Sequence, residues 1–369
     1  MKKLSLLIIS CLLAACVFGC EADLNNSSLP SDASETVSLP EESVEESKAE
    51  ISVEESDEVS EESALPEESA LPEVSEEESA LPEVSEEVSE EELTDRTATV
   101  THKITGKGFT YTGLPALMQI EYTVKDADNL RGLDAKRQDH SYGVAKDGKP
   151  HNITVMNQDR FDSYGTNALA WDNKTEEKVL YLTFDCGYKY EDLVTRILDT
   201  LKEKQVPAAF FCTIDYLRAA PDDAARMIAD GHIVGNHSAT HPGDCSAISR
   251  EKMAWEVLGV ENYLRENFGY TSKYFRFPCG VYSENAIELV NSIGYRSVFW
   301  SIAHVDWDPA NQPGEEISFN TVTSRLHPGA VILLHSTSPD NAAILADFID
   351  YCTEQGYTFR SLDQYEYWN

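Results

Sequence analysis

The sequence predicts an α/β domain of parallel β/α units over residues 176–369, a distorted (β/α) barrel in architecture, carried on an acidic stalk. Three observations lead there. From Lys178 onward, apolar runs of strand length alternate with amphipathic stretches of helical length. Polar residues able to do chemistry gather just after the strand ends, where barrel enzymes place their sites. Residues 21–95 differ from all that follows: they are Glu, Ser, Val and Pro without an aromatic, and Ala-Leu-Pro-Glu recurs at Ala64, Ala70 and Ala80.

Residues 1–20 read as an export signal. Lys2 and Lys3 precede an apolar run from Leu4 to Leu13 that is too short for a comfortable membrane span. Leu13-Ala14-Ala15-Cys16 and Val17-Phe18-Gly19-Cys20 both resemble the bacterial lipoprotein cleavage box. Cys16 fits the pattern better. Cys20 leaves the fuller apolar region and is followed directly by the polar tether, so lipidation is expected at Cys20, with Cys16 the alternative. Residues 21–95 bury too little apolar surface to offset chain entropy, and their like charges repel, so an extended, disordered stalk is expected. Residues 96–175 form an N-terminal extension, partly β, with one or two strands over 97–112 and a loop-like stretch from Asp126. Within the main domain, strands are expected at 179–184, 208–212, 232–236, 274–276, 297–301 and 330–335. Helices are expected at 191–204 and 221–230, and near 249–267, 283–293, 317–326 and 340–355.

Charge excludes one class of partner. Residues 21–95 hold 28 acids and one base, Lys48, which leaves residues 96–369 at −11 of the total −36. Such a surface repels phosphate backbones, so no nucleic-acid partner is expected. Five cysteines follow the signal, Cys186, Cys212, Cys245, Cys279 and Cys352, and an odd number leaves at least one outside any intrachain pair.

Three strand-end sites carry chemistry. Asp185 closes an apolar strand in Thr183-Phe184-Asp185-Cys186-Gly187, where a carboxylate is expensive to desolvate unless it pairs with a cation or serves catalysis. His237 and His241 stand four apart, read as one face of a helical turn able to grip one metal ion, although such pairs also occur on ordinary helices. His335 ends the run from Ala330 to Leu334 and is either a satisfied core histidine or a catalytic group oriented by Asp306.

Taken in order, Thr183-Phe184-Asp185-x-Gly187, His237-Ser238-x-x-His241, Arg276-x-Pro278-x-Gly280, Asp306-Trp307 and Leu333-x-His335 resemble the signature of the NodB-type polysaccharide deacetylases, the family-four carbohydrate esterases. The resemblance implies the distorted (β/α) barrel and a metal-dependent hydrolytic deacetylation. It implies a divalent ion, Zn2+ being expected, on His237 and His241. Such an ion polarises the acetyl carbonyl and acidifies water. Asp185 is then the general base, Arg276 the group that holds it ionised, and His335 with Asp306 the general acid. The Cys279 backbone N–H helps bind the oxyanion, while Trp307 and Leu333 wall the acetyl methyl.

Gly280-Val281-Tyr282-Ser283-Glu284 and Phe299-Trp300-Ser301-Ile302-Ala303 are similar to one branch, the delta-lactam-biosynthetic deacetylases that act on muramic acid in peptidoglycan. That branch shares the absence of an Asp at Ala303. Cys186 stands where most of the family has a metal-binding Asp. It is read as a thiolate ligand, as a small bystander, or as half of a disulfide with Cys279. The implied protein is a membrane-anchored surface lipoprotein and a monomer acting on peptidoglycan. A deacetylase of N-acetylglucosamine polymers or acetyl-xylan, and a glycan-binding pseudoenzyme, are the alternatives.

Overall fold

The computed structural model describes residues 96–141 and 143–368. The export signal, lipidation at Cys20 or Cys16, and the stalk over 21–95 lie outside the described residues.

The strands are β1 (Arg96–Thr101), β2 (Gly108–Leu114), β3 (Gln138–Asp139), β4 (Ala168–Leu169), β5 (Val179–Cys186), β6 (Ala209–Cys212), β7 (Ile233–Asn236), β8 (Tyr274–Phe275), β9 (Val281–Tyr282), β10 (Arg296–Val298), β11 (Ala330–His335) and β12 (Thr358–Phe359). The helices are α1 (Asn152–Tyr164), α2 (Leu193–Lys204), α3 (Ile214–Ala219), α4 (Pro221–Ala229), α5 (Arg250–Phe268), α6 (Glu284–Ile293), α7 (Glu315–Thr323) and α8 (Pro339–Glu354).

The main sheet runs β11-β5-β6-β7-β8-β10-β4, and β12 pairs the start of β5. Its pairings are parallel. The sheet curls until its two edges meet. Single bridges join Trp171 to Ala330 and Ile302 to Ile332, and the Asp172 and Ser301 N–H groups donate to the carbonyls of Gly329 and Val331. All eight residues of β5 are buried, as a central parallel strand covered on both faces requires.

Strand alternation sorts the core into two layers. Leu180, Leu182 and Phe184 of β5, with Ile332 and Leu334 of β11, face outward onto α2, α4 and α8. Tyr181, Phe211, Phe275, Phe299, Val331 and Leu333 fill the interior. Asp185 and His335 therefore open on the interior side at the C-terminal rim.

The helices start where their caps say they should. Ser249, Ser283 and Ser338 each accept a backbone N–H of the first turn of α5, α6 and α8. Helix α1 and the short strand β4 are not signalled in the sequence. The buried face of α1 is Thr154, Asn157, Gln158 and Phe161, so its inward side reads as polar.

The extension does not stop at residue 175 as a separate body. Strand β4 completes the sheet beside β10, β3 pairs β9, and the β1–β2 hairpin packs on α5. The expected helical turn at His237 is also absent. Residues 237–241 form an irregular loop with Ser238 and His241 at positive φ (70° and 53°).

Candidate active site

Asp185 leaves β5 5% exposed, and Arg276, just past β8, is fully buried behind it. Arg276 Nη1 donates to Asp185 Oδ1 at 2.8 Å, while Nε and Nη2 donate to the carbonyls of Val298 and Phe299 at 3.0 Å. The guanidinium lies 4.1 Å from the Phe211 ring centroid. Every direction of the fork is thus committed, which sets its plane and that of the carboxylate. Burial pushes the Asp185 carboxyl up, but Arg276, first among its neighbours, outweighs it and holds the group below the usual carboxylate range.

The loop after β7 brings the two histidines together without a helix; their ring centroids are 4.9 Å apart. Asn236 Oδ1 accepts from Ser238 N, Ser238 Oγ from His241 N, and the buried Glu256 carboxylate from Thr240 N (2.8 Å) and Oγ1 (2.6 Å). These bonds hold the left-handed residues in place. His237 Nδ1 donates to the Arg276 carbonyl at 2.9 Å, which leaves Nε2 as a lone pair facing Asp185 Oδ2 at 3.4 Å. Burial lowers the pKa of His237, and burial and His237 together lower His241 to about 3, so both rings are neutral, the form that ligates metals. Two lone-pair atoms facing across 3.4 Å form an arrangement that a cation completes. The pair fits a divalent ion, with Nδ1 fixed by a backbone carbonyl as ligating histidines commonly are.

Cys186 does not join them. It faces the outer layer with Phe184, opposite to Asp185, and is the cross-strand partner of Cys212. Burial and the adjacent Cys186 thiol push the Cys212 thiol well above the ordinary range. Among the described residues no group of three or more His, Cys, Asp or Glu is disposed to hold a metal. Thiolate ligation by Cys186 is therefore set aside on strand alternation, and so is its disulfide with Cys279, because Cys186 is a free buried thiol.

His335 is the register partner of Asp185 on the neighbouring strand. Its Nδ1 lies 2.7 Å from Asp306 Oδ1, and its backbone N–H donates to Asp306 Oδ2 at 2.8 Å. Burial lowers the His335 pKa, but Asp306 outweighs it and the net direction is up. Trp307, 39% exposed, sets its ring edge-on to His335 at 6.1 Å, and Leu333 lies two residues back on the same strand face.

Cys279 is exposed at the tip of a 3-10 turn, Pro278–Gly280, with φ 55°. The turn is held from the extension. His140 N–H donates to Gly280 O (2.8 Å), His140 Nε2 to Trp300 O (2.7 Å), and Asn157 Nδ2 to His140 Nδ1 (3.1 Å). A Cβ at Gly280 would stand 2.6 Å from the His140 carbonyl, so glycine is required there. His140, Asn157, Glu256, His304 and Asn341 are missed by sequence reasoning. Each is a buried polar residue without periodicity or motif, and its partners are distant in the chain.

A family model described as polysaccharide deacetylase matches residues 172–298. The peptidoglycan-N-acetylmuramic acid deacetylase PdaA of Bacillus subtilis is 40% identical over 190 residues, spanning 51% of this chain and 72% of that protein. An uncharacterized 30.6 kDa protein of Geobacillus stearothermophilus is 43% identical over 203 residues, spanning 55% of this chain and 75% of its own length. The solved structure of Bacillus subtilis PdaA, a family 4 carbohydrate esterase, covers 63% of this chain and 97% of its own with a TM-score of 0.58 at 35% identity.

Proposed function

The chain belongs to the polysaccharide deacetylase family and is a hydrolase of carbon–nitrogen bonds other than peptide bonds, and from that premise we propose that it deacetylates peptidoglycan amino sugars, N-acetylmuramic acid foremost. One observation carries the reading. Asp185, held ionised, and His335, held towards its protonated form, are register partners on adjacent strands, so an amide between them meets a base and an acid.

Asp185 accepts the proton of the attacking water, and Arg276 keeps that carboxylate charged and oriented. As the C–O bond forms, the Cys279 backbone N–H donates to the developing oxyanion. His335, whose Nδ1 is engaged with Asp306, carries a transferable proton on Nε2 and gives it to the leaving amine as the C–N bond breaks. Acetate and the free amino sugar leave. Trp307 and Leu333 border the acetyl methyl. A divalent ion, zinc in this proposal, would be held by His237 and His241 and would supply polarisation of the carbonyl and acidification of water.

The choice of muramic acid is supported by 40% identity to a deacetylase of that sugar. The enzyme would work as a monomer at the cell surface, lipidated at Cys20 or Cys16 and held out by residues 21–95. Among the described residues no helix is long and apolar enough to cross a membrane. Acetate release from purified peptidoglycan by residues 96–369, metal-stripped and zinc-loaded, tests the reading. Asp185→Asn should lower the zinc-dependent rate about 10²–10⁴-fold. Release from chitin oligomers or acetyl-xylan alone would move the substrate. No release from any of them would leave a glycan-binding protein.

A further inference from the structure

We propose that Asn341 is a positioning residue for the proton donor, fixing the Asp306 carboxylate in the rotation that presents Oδ1 to His335. The inference rests on the role given to His335 above and extends it by one residue.

Asn341 lies fully buried in the first turn of α8, where its backbone N–H donates to the capping Ser338 Oγ at 3.1 Å. Both N–H donors of its side-chain amide are used. Nδ2 donates to Asp306 Oδ2 at 2.6 Å and to the His335 carbonyl at 3.3 Å. Both of those atoms only accept, so the amide orientation is set by chemistry. Oδ1 then faces His304 Nε2 at 3.0 Å, and that nitrogen must carry the proton.

A carboxylate with two equivalent oxygens has no preference of its own. Here Oδ2 takes two donors, Asn341 Nδ2 and the His335 backbone N–H, which leaves Oδ1 aimed at His335 Nδ1. Asn341 thus grips the acid pair twice, through the side chain of Asp306 and through the backbone of His335.

The same helix start also holds the loop around Asp306. Ser338 Oγ donates to Gln312 Oε1, and Gln312 Nε2 donates to the carbonyls of Asp306 (2.9 Å) and Asp308 (2.7 Å). Asp340 Oδ2 accepts from Gly314 N at 2.7 Å and Ser318 Oγ at 3.2 Å. Those contacts place the loop. Asn341 is the member of the group that touches the carboxylate.

The test uses the full chain with Asn341→Ala and Asn341→Asp, reading both the pH profile of acetate release and the 15N-histidine titration of His335. Asn341→Ala should lower kcat about 10–100-fold with KM within about two-fold, since the lost contact acts on orientation rather than on substrate. Asn341→Asp keeps the size of the side chain and sets a second carboxylate against Asp306. The His335 midpoint and the basic limb of kcat should then both rise by about half a pH unit or more. The other titratable or charged groups facing this pair are Asp185, Arg276, His237 and His241 towards His335 and His304 towards Asp306, and neither variant replaces them.

A His335 midpoint unchanged in Asn341→Asp, with kcat losses that follow only the folded fraction, would reduce Asn341 to a helix-packing residue and overturn the proposal. Should Asn341→Ala not fold, the isosteric variant decides. Should the wild type release no acetate from any glycan, the deacetylase reading fails, yet the titration still decides the positioning role.

Discussion

A half-buried histidine beside a buried carboxylate titrates as half of a pair, and the residue scale is where this protein's pH behaviour is set. The folded-state pKa of His335 lies above its ordinary value, because the field of Asp306 outweighs burial. Its contribution to stability is therefore complete below the unfolded histidine pKa and is lost as pH rises through the folded one. Asp306 runs the other way. Burial raises it, but His335 first among its neighbours holds it down, so its contribution is present above the unfolded aspartate pKa and is lost as pH falls through the folded value. In the proposed mechanism activity inherits the first limb, since a general acid must be protonated. In kcat–pH profiles, Asp306→Asn should shift the basic limb to lower pH and lower its plateau; an unmoved limb would remove His335 as the acid. Asp185, His237, Arg276 and His335 were legible because each stands at or just past a strand end within a recognisable string. Asn341, His304 and His140 were not, since a buried amide or imidazole bonded to a residue far along the chain leaves no local trace.

At the scale of elements, alternation along β5 bears on the three readings of Cys186 that the sequence leaves open. Asp185 and Cys186 are neighbours in sequence but face opposite layers, one the interior rim and the other the helices. Cys186→Ala should accordingly leave zinc affinity within about two-fold, measured by competition with a chromogenic chelator. A loss of ten-fold or more would return the thiol to the metal site. The long, strongly apolar strands β5 and β11 and the amphipathic helices α2 and α4 were expected close to where they lie. The two-residue strands β4 and β8 were expected longer or not at all, because tertiary pairing rather than propensity makes them strands. The histidine loop shows the same limit. A spacing of four suggests a helical turn, whereas the left-handed Ser238 and His241, held through Asn236 and Glu256, achieve the same meeting of rings.

For the whole molecule, the extension expected over residues 96–175 pairs and packs with the domain that follows it. Residues 96–175 supply a sheet strand, the α1 helix whose Phe161 stacks on Phe299 at 4.7 Å, and the His140 contacts that hold the turn at Cys279. A fragment of residues 176–369 should lack a cooperative urea transition, whereas residues 96–369 should unfold in a single step by circular dichroism. A sharp transition in the shorter fragment would show that the extension is an accessory. Composition marked this segment as an extension, partly β, without showing its shape. Its few apolar residues and short strands carry little signal until their partners, 120 and more residues downstream, are in place.

The pairing of β5 has a further consequence, for how the chain comes to be folded. Strand β5 pairs on one side with the nearby β6 at 209–212, yet its other neighbours are β11 at 330–335 and β12 at 358–359. Synthesis must pass residue 335 before that strand has a partner on its β11 side, so folding depends on non-local pairing and belongs among the slower topologies. Until then the strand is an exposed, apolar edge of the kind that recruits other chains. A chain interrupted between β5 and residue 330 would carry Asp185 on an open template for aggregation, and β11 and β12 act as the guard of β5.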